Sequence, residues 1–580
     1  MSLPDVSYLY RNLSTVDHTA NDYFQIIKTL VQKNKSYQEN SSESAFLKNE
    51  INKIYELIKD EIKNNENPPV NQIKFGTSGW RGILGKDISC SSVARVTQAI
   101  IKMYQELRPG DSLSSILGSS SLEEFKRRGC VVGHDNRFGG DLLLASVTDV
   151  LTSHGFTVHQ AGETTTGAIS AAVLELGTAF SVNLTPSHNP LEYGGYKFNG
   201  PDAGPALPLI TDRITKLSRE IMKSDNKPAI TPRPELVKQC NSLALWKKLV
   251  RKNKKIHGLD YDDLIKTFSL NKDCVLAIDA MYGATKVHLK ELFKDTDTDR
   301  LIFIRDTDDP TFGGIAPEPS PANMKEIKKI LNKRPEPLKL GVVMDPDGDR
   351  IRFTDGKQDI SMNYFGAMAY HYLHEVKGKK GLVAKTVATS NFADSIARAL
   401  GEDVFEPKVG FKEFKPVIGK ALVCFEESDG ISIIGHTPEK DAYIGIIIAL
   451  DMTLRLGKNL SKYLEELQQK FGVFFPDKDG IIVDKHGEEL ENTLAALNNY
   501  SAGDKLAVGQ KNKVIKDLLT VDGHKFIFED KSWLMIRASG TEPKVRFYVE
   551  GRNEKDRENL FTTASQLLSE IGLSKLENQE

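Results

Sequence analysis

Asp345, Asp347 and Asp349 alternate in DPDGDR, directly after the apolar run LGVVM. Alternate residues of an extended segment project to one side, so the three carboxylates converge. Alone they repel and push one another's pKa values up. With Mg2+ they supply hard oxygen ligands and leave positions open for water or phosphate. An EF-hand is excluded, because Gly348 is fourth and Gly356 twelfth in the segment, against that loop's glycine and glutamate spacing. A solvated acidic turn is the plainer alternative.

TPSHNP (185–190) sets Ser187 and His188 in a corner held by two prolines, after the strand-like run TAFSVNL. A hydroxyl is a weak nucleophile at its free pKa and needs a nearby base or cation. A Ser–His hydrolase dyad does not fit: the two residues are chain neighbours, and no G-x-S-x-G elbow occurs. RASGTEPKVR (537–546) offers hydroxyls and backbone N–H groups at Ser539, Gly540 and Thr541, flanked by Arg537 and Arg546. Such a turn can form an anion nest, and each arginine can hold a phosphate by two bonds. A hairpin with surface arginines is the alternative there. The nucleotide loop G-x-x-x-x-G-K-[ST] is missing from the sequence. FEESDG (425–430) supplies Glu426, Glu427 and Ser428 for sugar hydroxyls, although an ordinary polar loop explains that segment by itself. A hydroxyl nucleophile, a cation site, an anion clamp and a polyol reader make an inventory for phosphoryl transfer on a phosphosugar. That chemistry rests on positioning and charge neutralisation.

The elements that must position these loops read as α/β. From Ile73 onward short apolar runs such as CVVGHD, CVLAIDA and LVCFEE alternate with helical stretches such as NMKEIKKILNK. That alternation implies mainly parallel sheets faced by helices, with functional loops where the strands end. Residues 1–66 differ: Leu47, Ile51, Ile54, Tyr55, Ile58 and Ile62 recur with a helical period before NENPPV stops the run. The expected order is a helical extension (1–66), three similar α/β domains (67–235, 236–375, 376–475) around a central cleft, and a smaller α+β domain (476–580). The extension, free of any chemical motif, is expected to dock on the body or on a second subunit.

A net charge of -2 over 580 residues argues against nucleic acid or anionic membrane as a partner. The most apolar run, IGIIIAL (444–450), is too short to span a bilayer. Cys90, Cys130, Cys240, Cys274 and Cys424 are odd in number and scattered, which suits a reducing compartment and no zinc site. No basic-then-apolar leader opens the chain, so a cytoplasmic setting is expected; separately, a monomer or homodimer is expected.

In their order and spacing, TPSHNP, DPDGDR, the EES loop and RASGTEPKVR resemble the α-D-phosphohexomutases, and KFGTSGWRG (74–82) is similar to that family's opening motif. VGHDNR (132–137), DPTFGGIAPEP (309–319) and VGFKEF (409–414) extend the resemblance over about residues 70–580. The run from TPSHNP into YGGYKFNGPDAGPA, with VGFK and EES, is most similar to the phosphoglucomutase branch. The resemblance implies exchange of glucose 1-phosphate and glucose 6-phosphate, with glucose 1,6-bisphosphate as intermediate and activator. It implies Ser187 as the phosphoserine, surrounded by His188, Arg81 and Lys197, with Lys197 as a general acid or base. Asp345, Asp347 and Asp349 would hold Mg2+ together with a Ser187 phosphate oxygen, and Arg350 would approach the phosphoryl group. Glu426 and Ser428 would read sugar hydroxyls, and Lys440 matches a further active-site lysine. Arg537, Ser539, Gly540, Thr541 and Arg546 would grip the idle phosphate. Phe425, Lys408 and TTTGAIS (164–170) depart from the family's pattern, and a bulky Phe425 is expected to narrow the sugar site or move its loop. Phosphomannomutase, other phosphosugar mutases of the family and an inactive scaffold relative are the alternatives.

Overall fold

The Asp22 and Ser41 side chains accept from the Gln25 and Ser44 amides and so start two N-terminal helices, Tyr23–Asn34 and Ser42–Asn64. Their apolar faces, with Ile27, Leu30, Leu47, Ile54 and Ile58 fully buried, share one core with the first sheet. The extension therefore docks on the body of its own chain. This computed structural model describes residues 3–11, 13–14, 18–76, 79–224, 230–296, 298–485, 487–539 and 544–573.

Four sheets follow along the chain. The first runs, in spatial order, Trp80–Ile83, Tyr193–Asn199, Phe180–Leu184, Cys130–His134, Val158–Glu163 and Val237–Gln239. Its last four strands are parallel, and Tyr193–Asn199 is antiparallel to both neighbours. The sheet thus passes the expected boundary at 235, because Val237–Gln239 pairs with Val158–Gln160. The second sheet orders Asp359–Ile360, Ile351–Thr354, Leu338–Met344, Cys274–Asp279 and Leu301–Ile304, the last three parallel. The third orders Val404–Phe405, Val383–Lys385, Val423–Glu426 and Gly430–Ile433, only the last antiparallel. The fourth is wholly antiparallel: Phe475–Ile482, Lys544–Gly551, Trp533–Ala538, His524–Phe528, Lys511–Leu519 and Lys505–Val508. Three mixed, mainly parallel α/β units, a C-terminal α+β unit and a helical extension are the architecture.

Helix Ala442–Leu456 carries the IGIIIAL run and is apolar on nearly every side. Such a helix must be buried, and it lies in the core shared by the second and third sheets. Among the described residues no helix is long and apolar enough to cross a membrane. Helix Met362–His371, assigned to the second unit by the boundary at 375, packs on strand Val423–Glu426 and helix Phe392–Leu400 of the third. Its contact with that strand is set by Gly366, where a Cβ would lie 2.1 Å from a Phe425 ring carbon.

TPSHNP, DPDGDR and EES leave the carboxyl ends of Phe180–Leu184, Leu338–Met344 and Val423–Glu426. Such ends are where open α/β sheets place ligands.

Candidate active site

Ser187 is held in the left-handed backbone region (φ 58°), which costs a non-glycine residue about 1 kcal/mol. Its surroundings impose that shape. The Ser187 amide donates to Thr185 Oγ1 (2.9 Å), whose hydroxyl donates to Asp135 Oδ2 (2.6 Å). Arg137, buried, donates to the carbonyl oxygens of Ser187 (2.9 Å), Pro190 (2.6 Å), Tyr193 (3.3 Å) and Asn189. Its Nε faces Asp135 Oδ2 at 3.4 Å. Gly195 lets strand Tyr193–Asn199 approach, since a Cβ there would lie 2.3 Å from the Thr185 carbonyl oxygen.

The Ser187 hydroxyl donates to Asp345 Oδ2 (3.0 Å), and His188 Nδ1 lies 3.5 Å from it. Asp345 Oδ1 accepts the amides of Asp349 and Arg350, both at 3.0 Å. Asp347 Oδ2 accepts Lys197 Nζ (2.6 Å) and the Thr166 hydroxyl (2.8 Å). Asp349 Oδ2 meets Lys197 Nζ at 3.1 Å and Lys440 Nζ at 3.2 Å. Asp347 Oδ1 and Asp349 Oδ1 are buried with no hydrogen-bond partner. A buried, unpartnered carboxylate oxygen is costly, and ligand oxygens of all three aspartates lie within 4.8 Å of one another. The donor set and its two orphan oxygens fit a hard divalent cation such as Mg2+.

Three helix starts brace this loop. Successive carbonyls of Pro346, Asp347 and Gly348 accept the amides of Ala284 (2.7 Å), Thr166 (2.9 Å) and Ala442 (2.9 Å). Those amides come from the second, first and third units, so free N–H groups at helix beginnings tie three units to one turn. Thr166 belongs to the divergent TTTGAIS segment.

Burial, then Asp347 and Asp349, raises the Asp345 carboxyl well above its ordinary value. For Asp349 burial is outweighed by Lys440, Lys197 and Arg350, which hold it well below. Burial is likewise outweighed at Lys197 by Asp347, Asp349 and Glu439, and its pKa rises. Lys197 is therefore an ammonium here, a proton donor and positive charge, not a free base. Burial, with Arg350 and Arg81 nearby, lowers His188 well below the usual histidine value, so its ring is neutral at neutral pH.

The other expected residues gather around this centre. Arg81 donates to Asn189 Oδ1 (2.8 Å), and Arg350 Nε lies 3.9 Å from Asp349 Oδ1. Lys440 Nζ lies 3.8 Å from Glu426 Oε1, which also accepts the Ser428 hydroxyl (2.8 Å). A bridge between Arg350 and Gly430 joins the aspartate and EES loops. Arg537 and Arg546 are direct cross-strand partners at the turn. Arg537 Nε faces Asp522 Oδ2 at 3.3 Å, and that same oxygen accepts the Val409 amide (2.9 Å) of VGFKEF. The Ser539 amide closes the turn on the Lys544 carbonyl (2.8 Å). Gly540 and Thr541 lie outside the described residues.

One expectation is corrected. Strand alternation sends Phe425 away from Glu426, into the core against Gly366, so its ring neither narrows the sugar site nor displaces the loop. Lys408 stands half exposed, 3.8 Å from Glu413. Sequence reasoning missed Asp135, Thr185, Thr166, Glu439 and Asp522. Glu439 is buried, accepts Asn199 Nδ2 (3.2 Å), and has its pKa raised by burial despite Lys197 and Lys440. Only Asp135 and Arg137 carried a signal, the D-x-R spacing within VGHDNR.

Models of the phosphoglucomutase/phosphomannomutase family match the chain in order. Its α/β/α domains I, II and III fit residues 72–225, 260–358 and 361–471, and its C-terminal domain fits 489–563. Phosphoglucomutase 1 of Drosophila melanogaster is 26% identical over 553 residues, covering 87% of this chain and 94% of that protein. A phosphoglucosamine/phosphogalactosamine mutase of Sulfurisphaera tokodaii is 24% identical over 509 residues, covering 85% and 98%. The open form of pp63/parafusin, a phosphoglucomutase from Paramecium, shares the fold with a TM-score of 0.67 at 21% identity, covering 87% of this chain and 96% of that one.

Proposed function

Because the chain belongs to the phosphoglucomutase/phosphomannomutase family, whose members are phosphotransferring isomerases, we propose that it interconverts glucose 1-phosphate and glucose 6-phosphate. The observation that carries this reading is the Ser187 hydroxyl 3.0 Å from Asp345, beside two buried carboxylate oxygens without hydrogen-bond partners.

In the proposed reaction, phosphoserine-187 gives its phosphoryl group to the free hydroxyl of the bound sugar phosphate. The P–Oγ bond breaks, a P–O bond to the sugar forms, and the product is glucose 1,6-bisphosphate. The sugar turns over, Ser187 takes back the other phosphoryl group, and the isomer leaves. Asp345, Asp347 and Asp349 would hold Mg2+, which when bound would neutralise charge on the transferring group. Lys197 and Lys440, both ammonium groups flanking Asp349, add positive charge where phosphoryl oxygens pass; one of them gives a proton to the departing Ser187 Oγ and is restored by the proton that the attacking sugar hydroxyl releases. Neutral His188 and Arg81, through Asn189, keep the loop oriented. A mutase must present either end of its sugar to one serine, so a fixed clamp is needed for the idle phosphate. Arg537 and Arg546, paired across strands, fill that role, and Glu426 and Ser428 read the hydroxyls between.

Glucose is the sugar favoured by the family resemblance of the TPSHNP-to-GPA run. The test is a coupled assay with glucose 1-phosphate, Mg2+ and a trace of glucose 1,6-bisphosphate, run beside mannose 1-phosphate and glucosamine 1-phosphate. Turnover fastest on glucose 1-phosphate, with a sugar-labile phosphoryl group on Ser187 by intact mass, is expected. Faster turnover of another sugar reassigns the substrate, and no labile phosphate leaves an inactive scaffold. All five cysteines are free thiols, which supports a reducing, cytoplasmic setting.

A further inference from the structure

The family models begin at residue 72, so the two N-terminal helices stand outside them. They nevertheless pack on the turns that neighbour the phosphoserine loop, on two sides of Arg137. On one side, the Tyr55 ring packs on Phe138 with centroids 4.5 Å apart, and Ile62 fills the space at Gly139, where a Cβ would lie 2.7 Å from it. Phe138 and Gly139 directly follow Arg137 in the chain. On the other side, Lys35 Nζ donates to the Gly314 carbonyl (2.9 Å), and Val31 leaves no room for a Cβ at Gly314. Phe312 and Gly314 both have positive φ, and the Phe312 ring covers the Arg137 guanidinium at 5.0 Å. A third tie is direct: Lys28 Nζ meets Glu192 Oε1 at 2.8 Å, where the loop turns into strand Tyr193–Asn199.

We propose that the N-terminal helical pair is a brace for the nucleophile loop, positioning Ser187 through Arg137 and Glu192. Its role as part of the reaction rests on the reading of Ser187 as the phosphoryl acceptor. The physical need is plain. Ser187 occupies a backbone conformation that relaxes unless its surroundings over-determine it. The group that does so, the Arg137 guanidinium holding four carbonyls of residues 187–193, sits on the 137–139 turn and under the 312–314 turn. Those turns come from different units, and Lys35, Val31, Tyr55 and Ile62 of one helical pair hold both. Lys28, Lys35, Val31, Tyr55 and Ile62 are positioning residues, since none of them touches the reacting atoms.

The test cuts the two polar ties without opening the core, in the full chain with Lys28→Ala and Lys35→Ala combined. Exposed ties of this kind are individually weak. The expected result is a fall in kcat of about three- to tenfold with KM held within about twofold. Amide exchange over residues 187–193 should accelerate by a similar factor, with the melting temperature unchanged. Lys28→Arg with Lys35→Arg, which keeps both donors, should restore kcat and protection. Unchanged exchange over 187–193 overturns the brace. So does faster exchange spread through the whole first sheet with a lower melting temperature, which is support of the fold alone. If the wild-type chain never carries phosphate on Ser187, the mutase reading fails, while the exchange measurement still decides whether the helices hold the loop.

Discussion

Phe425→Ala separates two views of the residue before the EES loop. If the ring faced the sugar, trimming it would open the site and change substrate preference. It instead lies fully buried against Gly366, with three ring atoms within 2.5 Å of where a Cβ on that glycine would stand. Removing a buried phenylalanine side chain costs about 3–5 kcal/mol, here borne by strand Val423–Glu426 and helix Met362–His371. At about 1.4 kcal/mol per tenfold change in an equilibrium, opening of that strand should become roughly a hundred- to several-thousandfold more frequent. Gly366→Ala alone forces a methyl into the ring and costs about 1–3 kcal/mol, against a helix-propensity gain of about 1 kcal/mol. In the double variant the new methyl occupies space the ring vacated, so the two losses should be less than additive by about 1–2 kcal/mol. Native-state hydrogen exchange over residues 421–433 measures all four proteins, and KM for glucose 1-phosphate and mannose 1-phosphate is taken on each. The reasoning is refuted if Phe425→Ala leaves exchange untouched yet changes the ratio of the two KM values tenfold.

Ser187→Ala should retain the wild-type melting temperature, carry no phosphate by intact mass and show no turnover; residual turnover at the wild-type rate removes Ser187 from the mechanism. Chelating divalent cations should stop catalysis and Mg2+ restore it. Thr166→Val, which deletes the 2.8 Å bond to Asp347 Oδ2 but keeps the Thr166 backbone bond, should weaken Mg2+ binding about tenfold by calorimetry. Lys525, buried between the third and fourth units, donates to the Val387 carbonyl (2.7 Å), and burial lowers its pKa to about 8 despite Glu406. The unfolded chain then binds more protons than the folded one between about pH 8 and pH 10.4. Lys525 thus burdens the fold fully below pH 8, and that burden lifts as pH rises through this window. Wild type should gain about 2 kcal/mol relative to Lys525→Met between pH 7.5 and pH 10, read from paired urea midpoints; parallel curves would refute it.

What could be read from the chain follows from how local each device is. The aspartate turn, the serine corner and the arginine hairpin are contiguous, and each works through spacing that a strand end or a turn preserves, so their convergence needed only parallel sheets with loops at one edge. Of helix Ala442–Leu456 only the apolar run too short for a bilayer was legible; its place in the core shared by two sheets is a finding of the structure. Partners that meet only after folding were not legible. Phe425 looked obstructive because its neighbour in sequence is Glu426, whereas its neighbour in space is Gly366, 59 positions earlier. Lys197 read as an acid or a base, without a choice between them, because nothing in its own segment reveals two carboxylates 150 and 152 residues away. Helix Met362–His371, before the expected boundary at 375, likewise packs on a strand that comes later in the chain. A common physical cause runs through these cases. Motif chemistry is carried by side-chain type and local geometry, but protonation state and side-chain direction depend on burial and on charges contributed by distant segments. Arg137 shows the point most sharply: its D-x-R spacing hinted at a pair with Asp135, yet its weight in the site comes from four carbonyls more than fifty residues on or nearly so, and from a phenylalanine of another unit. The preformed shape of Ser187 is consequently a property of three segments together, and any variant that perturbs one of them should be felt at the serine before it is felt in the stability of the whole.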